Sequence, residues 1–149
     1  MTDEDLFEVV EVELESFSTP WSTESFMDEM DREFSYVYLA RDEEANLLGF
    51  VCFWVLTEEM HILNIAVRNK YRRMGIGRAL AVHALGLARE MGARSATLEV
   101  REKNTAAVGL YESLGFVRAG LRRNYYEQPR DNAVIMWLYD INSALQKSP

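Results

Sequence analysis

Arg72-Arg73-Met74-Gly75-Ile76-Gly77-Arg78 stands between two runs of different periodicity, and that position decides how the chain folds. Before it, Met60-His61-Ile62-Leu63-Asn64-Ile65-Ala66-Val67 is short, apolar and strand-like. After it, small and apolar residues recur at Gly77, Leu80, Ala81, Ala84, Leu85, Ala88 and Met91, gaps of three and four that draw one stripe along an α-helix. A strand therefore feeds a basic, glycine-containing loop that opens a helix. Unpaired N–H groups at a helix start, the helix dipole and nearby arginines together suit an anion, most naturally a pyrophosphate. The two glycines let the main chain approach phosphate oxygens with no Cβ in the way.

Three phosphate-binding devices compete for this loop. A Walker loop needs Gly, four residues, then Gly-Lys-Ser/Thr, and the chain has no such run. A dinucleotide fingerprint needs a third glycine, and that position falls on Leu80. What remains is Arg/Gln-x-x-Gly-x-Gly after an apolar strand. Downstream follow Leu98-Glu99-Val100-Arg101, Asn104-Thr105-Ala106-Ala107 and Leu110-Tyr111-Glu112-Ser113-Leu114-Gly115-Phe116. Arg122-Arg123-Asn124-Tyr125-Tyr126 and Asp131-Asn132-Ala133-Val134-Ile135-Met136 come next, and Phe17-Ser18-Thr19-Pro20-Trp21-Ser22 stands upstream.

From about Leu6 to Leu138 this set resembles the GNAT superfamily of N-acetyltransferases, in its branch acting on protein N-termini, and there the ribosomal-protein-alanine (RimI) type. The resemblance implies an α/β fold, a mostly antiparallel central sheet with one splayed parallel strand pair and flanking helices. It implies transfer of acetyl from acetyl-CoA, leaving CoA, to the α-amine of a protein N-terminus, the N-terminal alanine of a small-subunit ribosomal protein, by direct amine attack and without a metal. Two other readings stay open: acetylation of a small-molecule amine, and a CoA-binding sensor without turnover. The Pro20-Trp21 segment and the Tyr125-Tyr126 pair favour the first reading, and a sensor needs neither Glu99 nor Tyr111.

The resemblance also assigns residues. Ile65, Ala66 and Val67 would hold the pantetheine arm through main-chain atoms, with the Val67 amide as oxyanion donor. Arg73, Met74, Gly75, Ile76, Gly77 and Arg78 would hold the pyrophosphate, mostly through N–H groups, with Arg73 and Arg78 rather than Arg72 reaching it directly. Asn104 either contacts the cofactor or caps the helix beginning at Thr105. Glu99 is the general base, or else an ion-pair partner of Arg101 or a neighbouring arginine. Tyr111 is the general acid, its hydroxyl protonated at neutral pH. Phe17, Pro20 and Trp21 would wall one side of the acceptor site, and Tyr125 and Tyr126 the other. His61 and His83 lack metal-ligand spacing and read as structural.

Composition fits. The 149 residues suit a single domain, 1–149, and 48% hydrophobic with 11% aromatic content excludes a disordered chain. One cysteine, Cys52, lies in an apolar run far too short to span a bilayer and reads as a buried, inert thiol. A net charge of −8 argues against a nucleic-acid binder and suits a basic partner. The acidic Met1-Thr2-Asp3-Glu4-Asp5 lacks a signal pattern, so the expected setting is cytoplasmic, with no membrane partner, as a monomer or weak dimer.

Periodicity and turn residues predict helices over Asp5 to Ser16, Thr23 to Asp31, Gly75 to Met91 and Thr105 to Leu114. Strands are predicted over Tyr36 to Ala40, Leu48 to Leu56, Met60 to Val67, Ser95 to Val100, Phe116 to Arg122 and Ala133 to Tyr139. Only Met1 to Glu4 precede the first helix, so the family's first edge strand is expected to be short or absent.

Overall fold

The apolar stripe after Gly77 lies on α3 (Ile76–Glu90), which buries Leu80, Ala81, Ala84, Leu85 and Ala88 against a six-stranded sheet. The structure, a computed structural model, describes residues 1–147. The other elements are α1 (Leu6–Ser16), α2 (Thr23–Asp31), β1 (Ser35–Arg41), β2 (Leu47–Leu56), β3 (Glu59–Val67), β4 (Ser95–Arg101), α4 (Thr105–Ser113), β5 (Val117–Glu127), β6 (Arg130–Leu138) and α5 (Ile141–Lys147). Strand order is β1-β2-β3-β4-β6-β5, and the pair β3–β4, joined through α3, is parallel while the other neighbours are antiparallel. The mostly antiparallel sheet with one parallel pair is therefore the architecture found.

A core lies on each face of the sheet. Strand β2 serves both by alternation: Phe50 and Cys52 join Val9, Val12 and Phe26 beneath α1 and α2, while Val51 and Phe53 join the α3 stripe. Burial pushes the Cys52 thiol up to about 12, so it stays protonated and inert. On the same strand Gly49 is required for fit, because a Cβ there would sit 2.5 Å from the Ala66 carbonyl oxygen.

Strand β3 carries the irregularity that makes the site. Cys52 pairs with Asn64 but Phe53 pairs with Ile62, leaving Leu63 as an extra, bulged residue. The bulge reverses the side-chain phase: Ile62 and Ile65 both pack toward α3, while Ala66 packs toward α1. Pairing with β4 stops at the same point, running from Glu59↔Ser95 to Ile62↔Leu98. Beyond it the two strands part.

The first edge strand is absent, one of the two outcomes expected: Asp3–Asp5 form a 3-10 turn leading into α1, so residues 1–5 make no strand and β1 is one edge of the sheet. Three consecutive acids suit the start of a helix and disfavour a strand. Strand β5 runs on to Glu127 and β6 starts at Arg130, which shortens the expected turn to Gln128 and Pro129. Almost all of β5 is exposed, so no alternation marks its extent. Helix α5 had no forecast; its seven residues are too few for a periodic pattern, yet Ile141 and Ala144 are buried in the α3-side core. No described helix is long and apolar enough to cross a membrane.

Candidate active site

The parting of β3 and β4 opens a cleft of about 250 Å³ that passes through the sheet. Alternation along β4 sends Leu98 and Val100 into the α3-side core and Glu99 and Arg101 to the opposite face. Tyr111 reaches the cleft from the α3 side, and Glu99 from the α1 side. A reaction between groups arriving from opposite faces can thus occur inside the gap.

The donor side is mostly main chain. Arg68 N–H donates to the Leu48 carbonyl at 2.8 Å. In an antiparallel pair every second residue faces the partner, so Ala66 also turns its polar groups to β2, whereas Ile65 and Val67 turn theirs to the gap. Two of the three expected main-chain contacts, Ile65 and Val67, are therefore available, and Ala66 is not. Gly75, the N-cap of α3, has φ +80° and offers no capping side chain. The first intrahelical donor is Ala79 N–H, which bonds to the Gly75 carbonyl at 3.0 Å, so the N–H groups from Gly75 to Arg78 remain free for an anion. Arg73, with φ +65°, and Met74 are exposed on this loop. Arg78 Nη1 donates to Ser113 Oγ at 2.7 Å and ties α3 to α4. Arg72, set aside on sequence grounds, donates from Nε to the Val67 carbonyl at 3.3 Å and braces the end of β3.

Helix α4 adds two groups. Asn104 is its N-cap, its Oδ1 accepting from Ala107 N–H at 3.2 Å; the Nδ2 donors stay free in the cleft wall, so capping and ligand contact are compatible. Tyr111 is 7% exposed, and burial alone raises the pKa of its hydroxyl, which stays protonated at neutral pH.

The acceptor side is built from side chains. Glu99 faces the cleft with Arg122 Nη2 3.7 Å from its Oε1, so it has the ion pair with a neighbouring arginine, and its place in the cleft is compatible with the general-base reading as well. Phe17, Trp21 and Tyr126 line the cleft. Pro20 and Tyr125 do not. The Tyr125 ring is exposed and packs edge-on against Tyr126 with centroids 5.1 Å apart, supporting the wall from behind. His61 lies against Trp54 at 5.8 Å, and desolvation lowers its pKa against the opposing pull of Glu99 and Glu59, which fits the structural role expected of it.

One cleft residue escaped the sequence reading altogether. Glu13 on α1 is 1% exposed, and its carboxylate accepts from Trp21 N–H at 2.8 Å and from Asn64 Nδ2 at 2.6 Å. Burial raises its pKa, with the two hydrogen bonds opposing. A carboxylate at an apolar-face position of a helix was the available signal, since such a group is not buried without partners.

A strand bulge, a parting parallel pair, unclaimed N–H groups at a helix start, and an acid and a tyrosine facing one another through the gap define an acyl-CoA N-acyltransferase site. The acetyltransferase (GNAT) family model matches residues 6–116, and the chain belongs to that family, whose acetyltransferases use acetyl-CoA. Among its relatives, the [ribosomal protein bS18]-alanine N-acetyltransferase of Escherichia coli (strain K12) is 36% identical over 136 residues, 90% of each chain. The crystal structure of the ribosomal-protein-S18-alanine N-acetyltransferase from Escherichia coli matches with a TM-score of 0.85 and 35% identity, covering 93% of this chain and 89% of that one. Ard1 from Thermoplasma volcanium matches with a TM-score of 0.82 and 30% identity over 93% of both chains.

Proposed function

We propose that this chain is an acetyl-CoA-dependent N-terminal protein acetyltransferase whose acceptor is the N-terminal alanine of a small-subunit ribosomal protein; the names of its relatives support this by stating, for them, alanine N-acetylation of ribosomal protein bS18. The observation that carries this reading is the through-sheet cleft with Tyr111 on one side and Glu99 on the other. The free N–H groups from Gly75 to Arg78 suit a pyrophosphate, and the main-chain groups of Ile65 and the N–H of Val67, turned to the gap, suit an amide-bearing arm lying along β3. The residues present therefore fit CoA. When bound, acetyl-CoA supplies an acyl carbon activated by its thioester.

This chain's residues do the rest. An acceptor ammonium entering from the α1 side meets Glu99, which takes one proton directly or through a water and leaves a neutral, nucleophilic amine; the second proton that the nitrogen sheds as the amide forms balances the one Tyr111 gives to the sulfur. Val67 N–H is turned to the gap and can donate to the acyl oxygen as negative charge gathers there. Tyr111 holds its proton at the hydroxyl for the departing sulfur. Burial also makes it a weaker acid, so the proton passes best to a formed thiolate, the conjugate base of a thiol with pKa about 8.5. Phe17, Trp21 and Tyr126 would bracket the first acceptor residue. A cytoplasmic setting agrees with this reaction, because both the cofactor and ribosomal acceptors are found there.

A panel of peptides beginning with Ala, Ser, Met or Gly, assayed beside free lysine and spermidine, tests the proposal. The Ala-first peptide is expected to exceed both small amines in kcat/KM by at least about tenfold, a difference of about 1.4 kcal/mol. Equal or greater turnover of spermidine or lysine would assign the site to small amines instead.

A further inference from the structure

Arg101 ends β4 at the open end of the split, and its guanidinium is engaged by the β5–β6 turn and Thr19. Nη1 donates to the Pro129 carbonyl at 2.7 Å, while Nη2 donates to the Gln128 carbonyl and to Thr19 Oγ1, both at 3.3 Å. The guanidinium carbon lies 4.1 Å from the centre of the Tyr126 ring. Ser18 Oγ and Thr19 Oγ1 donate to the same Gln128 carbonyl at 3.2 and 3.0 Å. The segment between α1 and α2, which supplies Phe17 and Trp21, is thereby fastened to the β5–β6 turn, next to Tyr126. The fastened stretches are 109 and 110 residues apart in sequence, and neither touches the other through an apolar core.

We propose that Arg101 is a positioning residue that sets acceptor selectivity: it latches the Phe17–Trp21 segment to the Gln128–Pro129 turn, bounding the acceptor side as a portal for an extended chain end. The inference rests on the N-terminal acetyltransferase reading above. The chemistry of arginine explains the choice of residue. Its planar fork carries five donors in fixed directions and can serve three acceptors while stacking on an aromatic ring. A lysine ammonium is a point charge that cannot span the same set. Without the latch, two exposed segments regain freedom that a peptide must remove on binding, whereas a small amine needs little of either wall.

The test uses the full chain as Arg101→Lys and Arg101→Met, with Thr19→Val as a milder cut in the same latch should the arginine variants fold poorly. Each is assayed with the Ala-first peptide and with spermidine, beside calorimetry with acetyl-CoA. Losing hydrogen bonds to a charged group is expected to raise the peptide KM about tenfold or more and to lower the peptide-to-spermidine ratio of kcat/KM by a similar factor. Acetyl-CoA affinity should hold, lysine should not rescue, and Thr19→Val should move the ratio the same way by a smaller factor. An unchanged ratio in variants of an active wild type, or rescue by lysine, overturns the latch alone. A wild type that binds acetyl-CoA but acetylates no peptide overturns the N-terminal reading, and the latch with it.

Discussion

The two walls of the cleft are made in different ways. The donor wall, from the bulge at Leu63 through Gly75 to the first turn of α3, is one short, continuous stretch of chain that offers main-chain groups. The acceptor wall is assembled from α1, the segment after it, β4 and the β5–β6 hairpin, and side chains join these pieces: Glu13 to Trp21 across 8 residues, Arg101 to Gln128 across 27 and to Thr19 across 82. A wall of N–H groups keeps its function under most side-chain replacements. A wall of side-chain links depends on a few residues, each replaceable at a cost. Binding a shared cofactor and choosing an acceptor are thus separated physically as well as chemically.

The comparison can be broken most directly at Tyr111, a donor-side group that contributes through its side chain. Tyr111→Phe is expected to lower kcat by about 100-fold or more, the usual scale for a general acid, with acetyl-CoA affinity unchanged by calorimetry. A kcat within about twofold of wild type would remove the acid from the donor side. Next comes the fit between the donor wall and the sheet. Gly49→Ala forces a Cβ to 2.5 Å from the Ala66 carbonyl oxygen. It should destabilise the protein by about 2–3 kcal/mol, read as a lower midpoint in thermal unfolding. A midpoint equal to wild type would mean that β3 can shift freely.

Glu13→Gln sharpens the acceptor side of the contrast. The amide keeps one acceptor but sets its own N–H groups against a donor, so the peptide KM should rise by about threefold to tenfold while acetyl-CoA binding holds. Its pH signature is separate. The folded state raises the pKa of this carboxyl above its ordinary 4.5, chiefly through burial. The stability it contributes is complete below that value and is lost as pH rises through the higher folded one. Wild type should therefore lose stability relative to Glu13→Gln between about pH 4 and pH 7, and denaturant unfolding at both pH values checks the sign. The smallest effect is expected at Met74, which is 67% exposed in the middle of the anion loop. Met74→Ala should leave acetyl-CoA affinity within about twofold, because only the N–H groups are in use. A large loss there would show that the donor wall depends on side chains after all.

The same contrast explains what could be read from residues alone. Strand, glycine loop and helix lie within one window of sequence, so periodicity marked the turn before α3, while the family resemblance supplied Ile65, Ala66 and Val67, of which Ala66 faces β2 instead. The bulge at Leu63 was not legible, because it depends on how Cys52 and Phe53 pair across the hairpin. Glu13 lies within the first predicted helix with no motif around it; only the fold brings it to Asn64 and reveals it as a buried acceptor. Arg101 was considered as a partner for Glu99, its near neighbour, whereas its carbonyl acceptors lie on a turn 27 and 28 residues away. Pro20 and Tyr125 share motifs with cleft residues but point elsewhere, since a motif marks a segment and the backbone decides which of its side chains face inward.

Cys52 has a practical consequence. It is the chain's sole thiol, and it lies sealed beneath α1 and α2 in a form that maleimide reagents will not touch. Cysteines introduced at exposed Ser18 and Gln128 would therefore be the only handles for a spin or fluorescence reporter pair, with no need for a cysteine-free background. The distance between the two loops could then be followed in solution while acceptor peptides come and go.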